Sequence, residues 1–433
     1  TFIMKPSSCL FLNVLLAVFF LSSTFPLSAQ DDSVITISGI VKDQKSKKKL
    51  EYVNISVQGT NIGTVSNSDG EFTLKIPARY KSDNLLFTHL GYNNHLYPIG
   101  GKSIENETFM LTSDSQVLDE VVIRSGDPLA IVREAVKKID LNYTNSPTIL
   151  SGFYRETIQK GKRYIDISEA VMNIYKTSYS QNTDNDGVQI YKGRRLLSPK
   201  PSDTLSVKLQ GGPNLAIYGD IVKQPYPLLD EESLPLYMFK MEDPVTINER
   251  PHYTIRFTPQ AIAEIPLYTG NIYIDQQNLT ISRVEYSLSM DNRDKVTRII
   301  LKKKPPKLRF KPNEVSFVVT YKTLEGRSRI NYIRNQIRFN CDWKRRLFST
   351  SYTVISELVV TDSKPLDMKK APSKEFFKQN QTLSDKISNF SDQNFWEAYN
   401  IIGVTGIQIR KVTYLVRLRL VLVEELVARG CFD

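Results

Sequence analysis

Ile35-Thr36-Ile37-Ser38-Gly39-Ile40-Val41, Glu51-Tyr52-Val53-Asn54-Ile55-Ser56-Val57 and Asn67-Ser68-Asp69-Gly70-Glu71-Phe72-Thr73-Leu74-Lys75-Ile76-Pro77 decide the fold of the first part of this chain. In the second run Tyr52, Asn54 and Ser56 alternate with Val53, Ile55 and Val57, the period of two that turns one side of a strand into a core. Asn67-Ser68-Asp69-Gly70 predicts a tight hairpin, because Asn, Asp and Gly accept positive φ at low cost. Phe72, Leu74 and Ile76 then share a side, and Pro77 ends the run. Ile62 to Val65, Leu85 to Thr88, Tyr92 to Pro98 and Thr108 to Leu111 bring the count to about seven short strands without helices, which predicts a β-sandwich over residues 34–113.

Residues 1–29 carry the pattern of an export signal. Thr1 to Ile3 precede Met4, the expected start. Lys5 supplies the positive charge, Leu10 to Leu21 the apolar stretch, and Pro26-Leu27-Ser28-Ala29 a cleavage site before Gln30. About a dozen apolar residues are too few to cross a bilayer core of ~30 Å. No cysteine stands at the cleavage point, which argues against a lipid-anchored mature end. The expected location is the periplasm or the outer membrane. Cys9 leaves with the signal, so only Cys341 and Cys431 remain and no disulfide framework is expected. A mature chain of about 400 residues implies two domains or more, and 41% hydrophobic residues suffice for cores held by burial alone. The formal charge of +11 is spread out rather than blocked. That favours anionic surfaces and gives no nucleic-acid signature.

Ser38 to Asp43, Leu50 to Ile55, Gly59-Thr60-Asn61-Ile62-Gly63-Thr64, Asn67 to Phe72 and Leu86-Phe87-Thr88-His89-Leu90-Gly91-Tyr92 form an ordered series. This series resembles the carboxypeptidase-regulatory-like domain, a transthyretin-like sandwich of Gram-negative envelope proteins. The resemblance implies no peptidase activity, and no His-x-x-Glu metal ligation is present. The same sandwich extends TonB-dependent outer-membrane receptors at the amino end, where a run like Leu118-Asp119-Glu120-Val121-Val122-Ile123 follows it. A 22-stranded barrel with its plug needs well over about 500 residues, against roughly 310 after Ile123. The expectation is therefore not a receptor, and Leu118 to Ile123 reads as a closing strand of the sandwich.

Residues 114–147 read as a linker with an amphipathic helix. Asp127 is placed as N-cap and Pro128 at the first helical position. Leu129, Val132, Val136 and Ile139 recur at helical spacing, a stripe that predicts docking against the second domain. Residues 148–362 are predicted to be an antiparallel β-rich domain, a large curved sheet with the helix of residues 127–141 on its concave side. Val315, Phe317, Val319 and Tyr321 share one face there, and Phe348, Tyr352, Val354, Leu358 and Val360 repeat the pattern. Tyr253 to Phe257, Asn271 to Asp275, Ile281 to Leu288 and Thr297 to Leu301 are read as further strands. Tyr268 to Asp275 with Leu279 to Tyr286 is similar to strand pairs of LolA/LolB-type half-barrels, which implies acyl-chain binding in an apolar concavity. Ser151 to Glu156 and Ile165 to Ala170 look like pieces of uncharacterised envelope proteins that combine a sandwich with a sheet.

Signals for chemistry are sparse. His89, His95 and His252 are the only histidines. His89 and His95 fall on neighbouring predicted strands, but no third ligand has a standard spacing, so no metal or other cofactor is expected. There is no Gly-x-Ser-x-Gly elbow and no P-loop. Asp184-Asn185-Asp186-Gly187 lacks the downstream acid of a calcium loop and reads as a plain polar turn. Two basic clusters, Lys302-Lys303-Lys304 (with Lys307, Arg309 and Lys311) and Trp343-Lys344-Arg345-Arg346, are candidates for contact with an anionic surface. The alternative is a solvated loop and a lysine-guarded sheet edge. Tyr175, Tyr179 and Tyr191 are candidates for stacking on sugar rings.

Residues 363–433 are expected to be a partly helical tail, with Phe395, Trp396 and Tyr399 docking and residues 403–433 read as a frameshifted end. Val412 to Ala428 alternatively forms a basic helix at a membrane surface. The expected function is that of an exported envelope binding or scaffold protein without a catalytic site. One alternative is a lipid or lipoprotein carrier, and a weaker one a hydrolase with a non-standard site. The expected partners are an envelope protein or an acyl lipid, with peripheral membrane contact and no nucleic acid. A filled second core favours the scaffold and an open apolar concavity the carrier.

Overall fold

The computed structural model describes residues 33–114, 126–198, 200, 203, 205–344, 349–378, 381, 383, 387–389 and 399–402. The export signal, Leu118 to Ile123, Arg345, Arg346, Phe348, Phe395, Trp396 and residues 403–433 lie outside these.

The first module is a seven-stranded sandwich. Its strands are β1 (Val34–Asp43), β2 (Asn54–Val57), β3 (Gly63–Val65), β4 (Glu71–Pro77), β5 (Asn84–Thr88), β6 (His95–Pro98) and β7 (Ile104–Leu111). They form one sheet in the order β4-β1-β7 and another in the order β3-β2-β5-β6. The alternation read in the sequence explains the core. Val53, Ile55 and Val57 from one sheet meet Ile37, Phe72, Leu74 and Ile76 from the other, all buried. The Asn67–Gly70 hairpin is closed by the Asn67 side chain, which accepts from the backbone N–H groups of Asp69 and Glu71.

Two helices follow, α1 (Pro128–Lys137) and α2 (Ile139–Asn142). The Asp127 carboxylate accepts from the Leu129 N–H at 3.1 Å, an N-cap with Pro128 behind it. Val132 and Ala135 are fully buried.

The second module is built from β8 (Thr148–Lys160), β9 (Arg163–Lys176), β10 (Gly187–Leu197), β11 (Lys208–Leu209), the short helix α3 (Leu215–Tyr218), β12 (Tyr237–Ile247), β13 (Arg250–Pro259), β14 (Tyr268–Asp275) and β15 (Ile281–Leu288). It continues through helix α4 (Arg293–Ile300), β16 (Leu301–Lys303), β17 (Leu308–Leu324), β18 (Arg327–Trp343), β19 (Thr350–Pro365) and β20 (Ser388–Asn389). One open sheet runs β12-β13-β14-β15-β17-β18-β19-β8-β9-β10-β20, antiparallel throughout except for the two-residue β20. β11 and β16 pair separately. Pro312, which has no N–H to donate, falls where the β17–β18 register shifts.

One sequence reading is corrected. Thr297 to Leu301 is not a strand: residues 297–300 end α4, and Leu301 opens β16. The Asn292 side chain caps the helix by accepting from the Lys295 N–H at 3.0 Å. Val296 and Ile300, four residues apart, are buried together. The run of Val, Thr and Ile imitates strand composition, but the cap and the four-residue spacing decide.

The two faces of the large sheet differ. The inner face carries Tyr154, Met172, Ile255, Ile272, Val284, Val319, Ile333 and Leu358, all at 5% exposure or less. It is covered by α1 and by residues 215–236, which contribute Leu215, Ile217, Ile221, Val222, Leu228, Leu229 and Leu234. Toward the other end α4 covers Phe310, Val315, Ile337, Phe339, Tyr352 and Val354. At about 25 cal/mol per Å² of apolar area, this filled face is the main source of the module's stability. The outer face receives the sandwich.

Candidate functional site

The sandwich docks on the outer face through a small apolar centre. Val65 packs with Phe153, Val171, Tyr332, Val359 and Ile402. Tyr52 stacks on Tyr332 with ring centroids 5.8 Å apart, and the Arg334 guanidinium lies 5.4 Å from the Tyr52 ring. Around that centre the bonds are polar. Asn331 donates to Asn54, Lys322 Nζ to the Thr60 carbonyl at 2.8 Å, and Asn94 to Asn248 at 3.0 Å.

Residues 399–402 run between the modules as a strap. The Asn400 side chain accepts from the Lys75 N–H at 2.7 Å and donates to the Lys75 carbonyl at 3.0 Å, which occupies the free edge of β4 there. Thr64 donates to the Ile401 carbonyl, and Arg155 to that of Ile402. Arg155, 2% exposed, also donates to Glu169 at 2.8 Å through Nε, and Arg194 reaches the second oxygen at 2.7 Å. Burial pushes the Glu169 carboxyl up, but the two guanidinium groups outweigh it and hold the group below its ordinary value.

Beside the strap the modules leave a cleft of about 430 Å³. The sandwich contributes Ile62, Lys75, Pro77 and Arg79. The sheet contributes Asn173, Tyr191, Thr361, Asp362 and Lys364, and the strap Tyr399 and Asn400. Two β-bulges shape it. Ile190 opposes Met172 and Lys192 opposes Val171, leaving Tyr191 as the extra residue, 66% exposed. Val360 opposes Gly152 and Asp362 opposes Ser151, leaving Thr361 as the extra residue on β19. Bulges re-aim side chains in this way and gather beside functional sites.

The residues singled out from the sequence are scattered. Lys302, Lys303, Lys304, Lys307, Arg309, Lys311 and Lys344 are exposed, at the end of the sheet where Leu308 pairs with Trp343. The Lys344 N–H meets the Lys307 carbonyl at 3.4 Å, so the two basic clusters do adjoin. Lys303 pairs with Lys208 in the separate two-stranded sheet, so this stretch does not guard an edge of the large one. Trp343 is half-buried against the Phe310–Phe339 end of the core. Of the three tyrosines, Tyr179 is in the inner core, Tyr175 packs on Phe376, and Tyr191 alone faces the cleft. His89 and His95 pack against different rings, Tyr92 and Phe87, and burial lowers both, His89 to about 4. Among the described residues no group of three or more His, Cys, Asp or Glu could hold a metal ion.

His252 is 2% exposed. Its Nδ1 meets the Arg250 carbonyl and its Nε2 the Ser282 hydroxyl, both at 2.8 Å. Ser282 is the extra residue of a bulge opposite Tyr273 and Ile274. The pair has the order of a nucleophile and a base, but a carbonyl stands where a triad carries a carboxylate. Neither residue lines the cleft.

The sequence also hid a charged cluster beneath the inner face. Lys176 and Asp220 meet at 2.6 Å with side chains 1% and 0% exposed. Tyr179 and Tyr321 donate to the same carboxylate at 2.8 and 2.9 Å. Lys223 pairs with Asp186 at 2.9 Å, so Asp184 to Gly187 is not a plain polar turn. Burial, with the nearby Lys176 charge adding to it, lowers Lys223. These bonds pin residues 215–236 onto the sheet.

Residues 37–123 match the family of CarboxypepD_reg-like domains, and the first module is such a domain. The TonB-dependent receptor SusC of Bacteroides thetaiotaomicron is 30% identical over 127 residues, 27% of this chain and 12% of the receptor. The match thus spans about an eighth of that protein. Among solved structures, a DUF1329 family protein from Desulfovibrio piger is similar at 11% identity, over 54% of this chain and 94% of that one, with a TM-score of 0.24. A LolA superfamily protein from Nitrosomonas europaea is similar at 12% identity, over 59% of this chain and 100% of that one, with a TM-score of 0.23.

Proposed function

We propose that this chain is a non-catalytic binding protein of the cell envelope, a scaffold in which sandwich and sheet act as one body. The observation that carries this reading is the filled inner face. An acyl-chain carrier needs an apolar concavity, and here α1 and residues 215–236 occupy that side, held by the Lys176–Asp220 and Lys223–Asp186 pairs. The free surface is instead the polar junction on the outer face. The kinship of the first module to part of a TonB-dependent receptor supports the envelope as its location. No helix among the described residues is long and apolar enough to cross a membrane.

Native mass spectrometry of the protein extracted from its own envelope in mild detergent tests this. A stoichiometric protein or polar ligand, with no acyl species released on denaturation, is the expected result. A released acyl lipid at one per chain overturns the scaffold in favour of the carrier.

A further inference from the structure

We infer that the cleft between sandwich and sheet is a binding site for an acidic saccharide, a sugar bearing a carboxylate or a phosphate. The inference rests on the binding reading above and names its ligand class. Three kinds of group converge on the cleft. Lys75, Arg79 and Lys364 bring positive charge from opposite walls, against the single carboxylate of Asp362. The Asn173 amide and the Asp362 carboxylate bind sugar hydroxyls as donor and acceptor, and the Thr361 hydroxyl, whose proton goes to the Ser151 carbonyl, adds an acceptor. Tyr191, 66% exposed, and Tyr399, which also packs on the apolar centre, supply aromatic lining, and a pyranose carries C–H groups that pack on aromatic rings.

The construction of the walls supports a site rather than an incidental gap. Tyr191 and Thr361 are both bulge residues, on strands separated in the sheet by β8 and β9, yet both line the same cleft. A volume of about 430 Å³ lies within the usual ligand range of roughly 300–1,000 Å³, and junctions between domains are common places for such sites. Other ligands fit less well. Ile62, Pro77 and Val171 are too little apolar lining for an acyl chain. A peptide adding itself to β4 is blocked at Lys75, whose outward N–H and carbonyl are already held by Asn400. The ring faces and hydroxyl-binding groups have no use for inorganic phosphate alone.

Isothermal titration of the full chain tests the inference, with tri-galacturonate and trehalose 6-phosphate as acidic probes and maltotriose and inorganic phosphate as controls. At least one acidic probe is expected to bind at least about tenfold more tightly than either control. Arg79→Ala and Lys364→Ala each weaken that binding by about tenfold, the loss of one charge-assisted contact. Tyr191→Ala weakens it less, and Tyr191→Phe, which keeps the ring, leaves it nearly unchanged. All three positions are at the surface, and unchanged thermal melting confirms that each variant folds. Binding by neither acidic probe overturns the inference, as does equal binding of phosphate or indifference to Arg79 and Lys364. A protein partner footprinted over the cleft also overturns it while leaving the scaffold reading intact. An acyl lipid at one per chain removes the scaffold reading itself.

Discussion

The two faces of the large sheet are covered by different means. The inner face is closed by its own chain: α1, α4 and residues 215–236 fill it with aliphatic side chains, and the charges there are paired and out of reach of water. The outer face is closed by another module, through a small apolar centre ringed by ion pairs, side-chain-to-carbonyl bonds and a cleft. A face that must only be stable is filled, whereas a face that meets a separate domain is specified by polar geometry. That makes the outer side the place to look for binding.

The largest break in this comparison comes from the inner face. Asp220→Ala strands Lys176 without its carboxylate and removes the acceptor of Tyr179 and Tyr321. About 3–5 kcal/mol is lost, read as a fall in urea midpoint at unchanged slope. On the outer face Glu169→Ala costs less, about 1–3 kcal/mol, because Arg155 keeps the Ile402 carbonyl and Arg194, 11% exposed, has access to water that Lys176 lacks. Its signature is local: amide exchange quickens at the strap and around Val65 before the inner face changes. Equal protection on both faces would show that the junction is not a separate cooperative unit. The Glu169 carboxyl lies below its ordinary value when folded, so its contribution is present above the unfolded pKa and fades as pH falls through the folded one.

A third effect, confined to alkaline pH, is expected at Lys322. Burial, with the Arg329 charge adding to it, lowers this lysine from 10.5 to about 8. Below about 8 both states are protonated and the folded state carries the full cost. Between about 8 and 10.5 the folded state sheds its proton first, so stability rises with pH. Lys322→Met is expected to flatten that rise, and a rise of the same size in the variant would assign it to another group.

What the sequence disclosed follows the reach of its signals. Period-two patterns gave the sandwich and the inner residues Val315, Phe317, Val319 and Tyr321, because alternation is local. The Asp127–Pro128 start gave α1 for the same reason. The α4 segment escaped because its β-branched residues suggest a strand, and only the Asn292 cap tells otherwise. The cleft was illegible except for Tyr191, grouped with two tyrosines the fold buries elsewhere, and Tyr399, read as a docking residue of the tail. Its lining joins β4, β10, β19 and residues 399–400, and the bulges that aim it exist only once registers are set. Lys176 and Asp220 escaped likewise, since nothing local marks a charge as buried.

The seam between β8 and β19 has one more consequence. Thr361 donates to the Ser151 carbonyl across 210 residues of sequence, and β8 has no neighbour on that side until β19 arrives. Strands β12 to β18 and strands β8 to β10 are thus two half-sheets, each ending in an unsatisfied edge, and one late strand zips them together. Loop closure on that scale makes assembly of the second module slow, and any nascent or truncated chain that stops before residue 350 exposes two sticky edges at once.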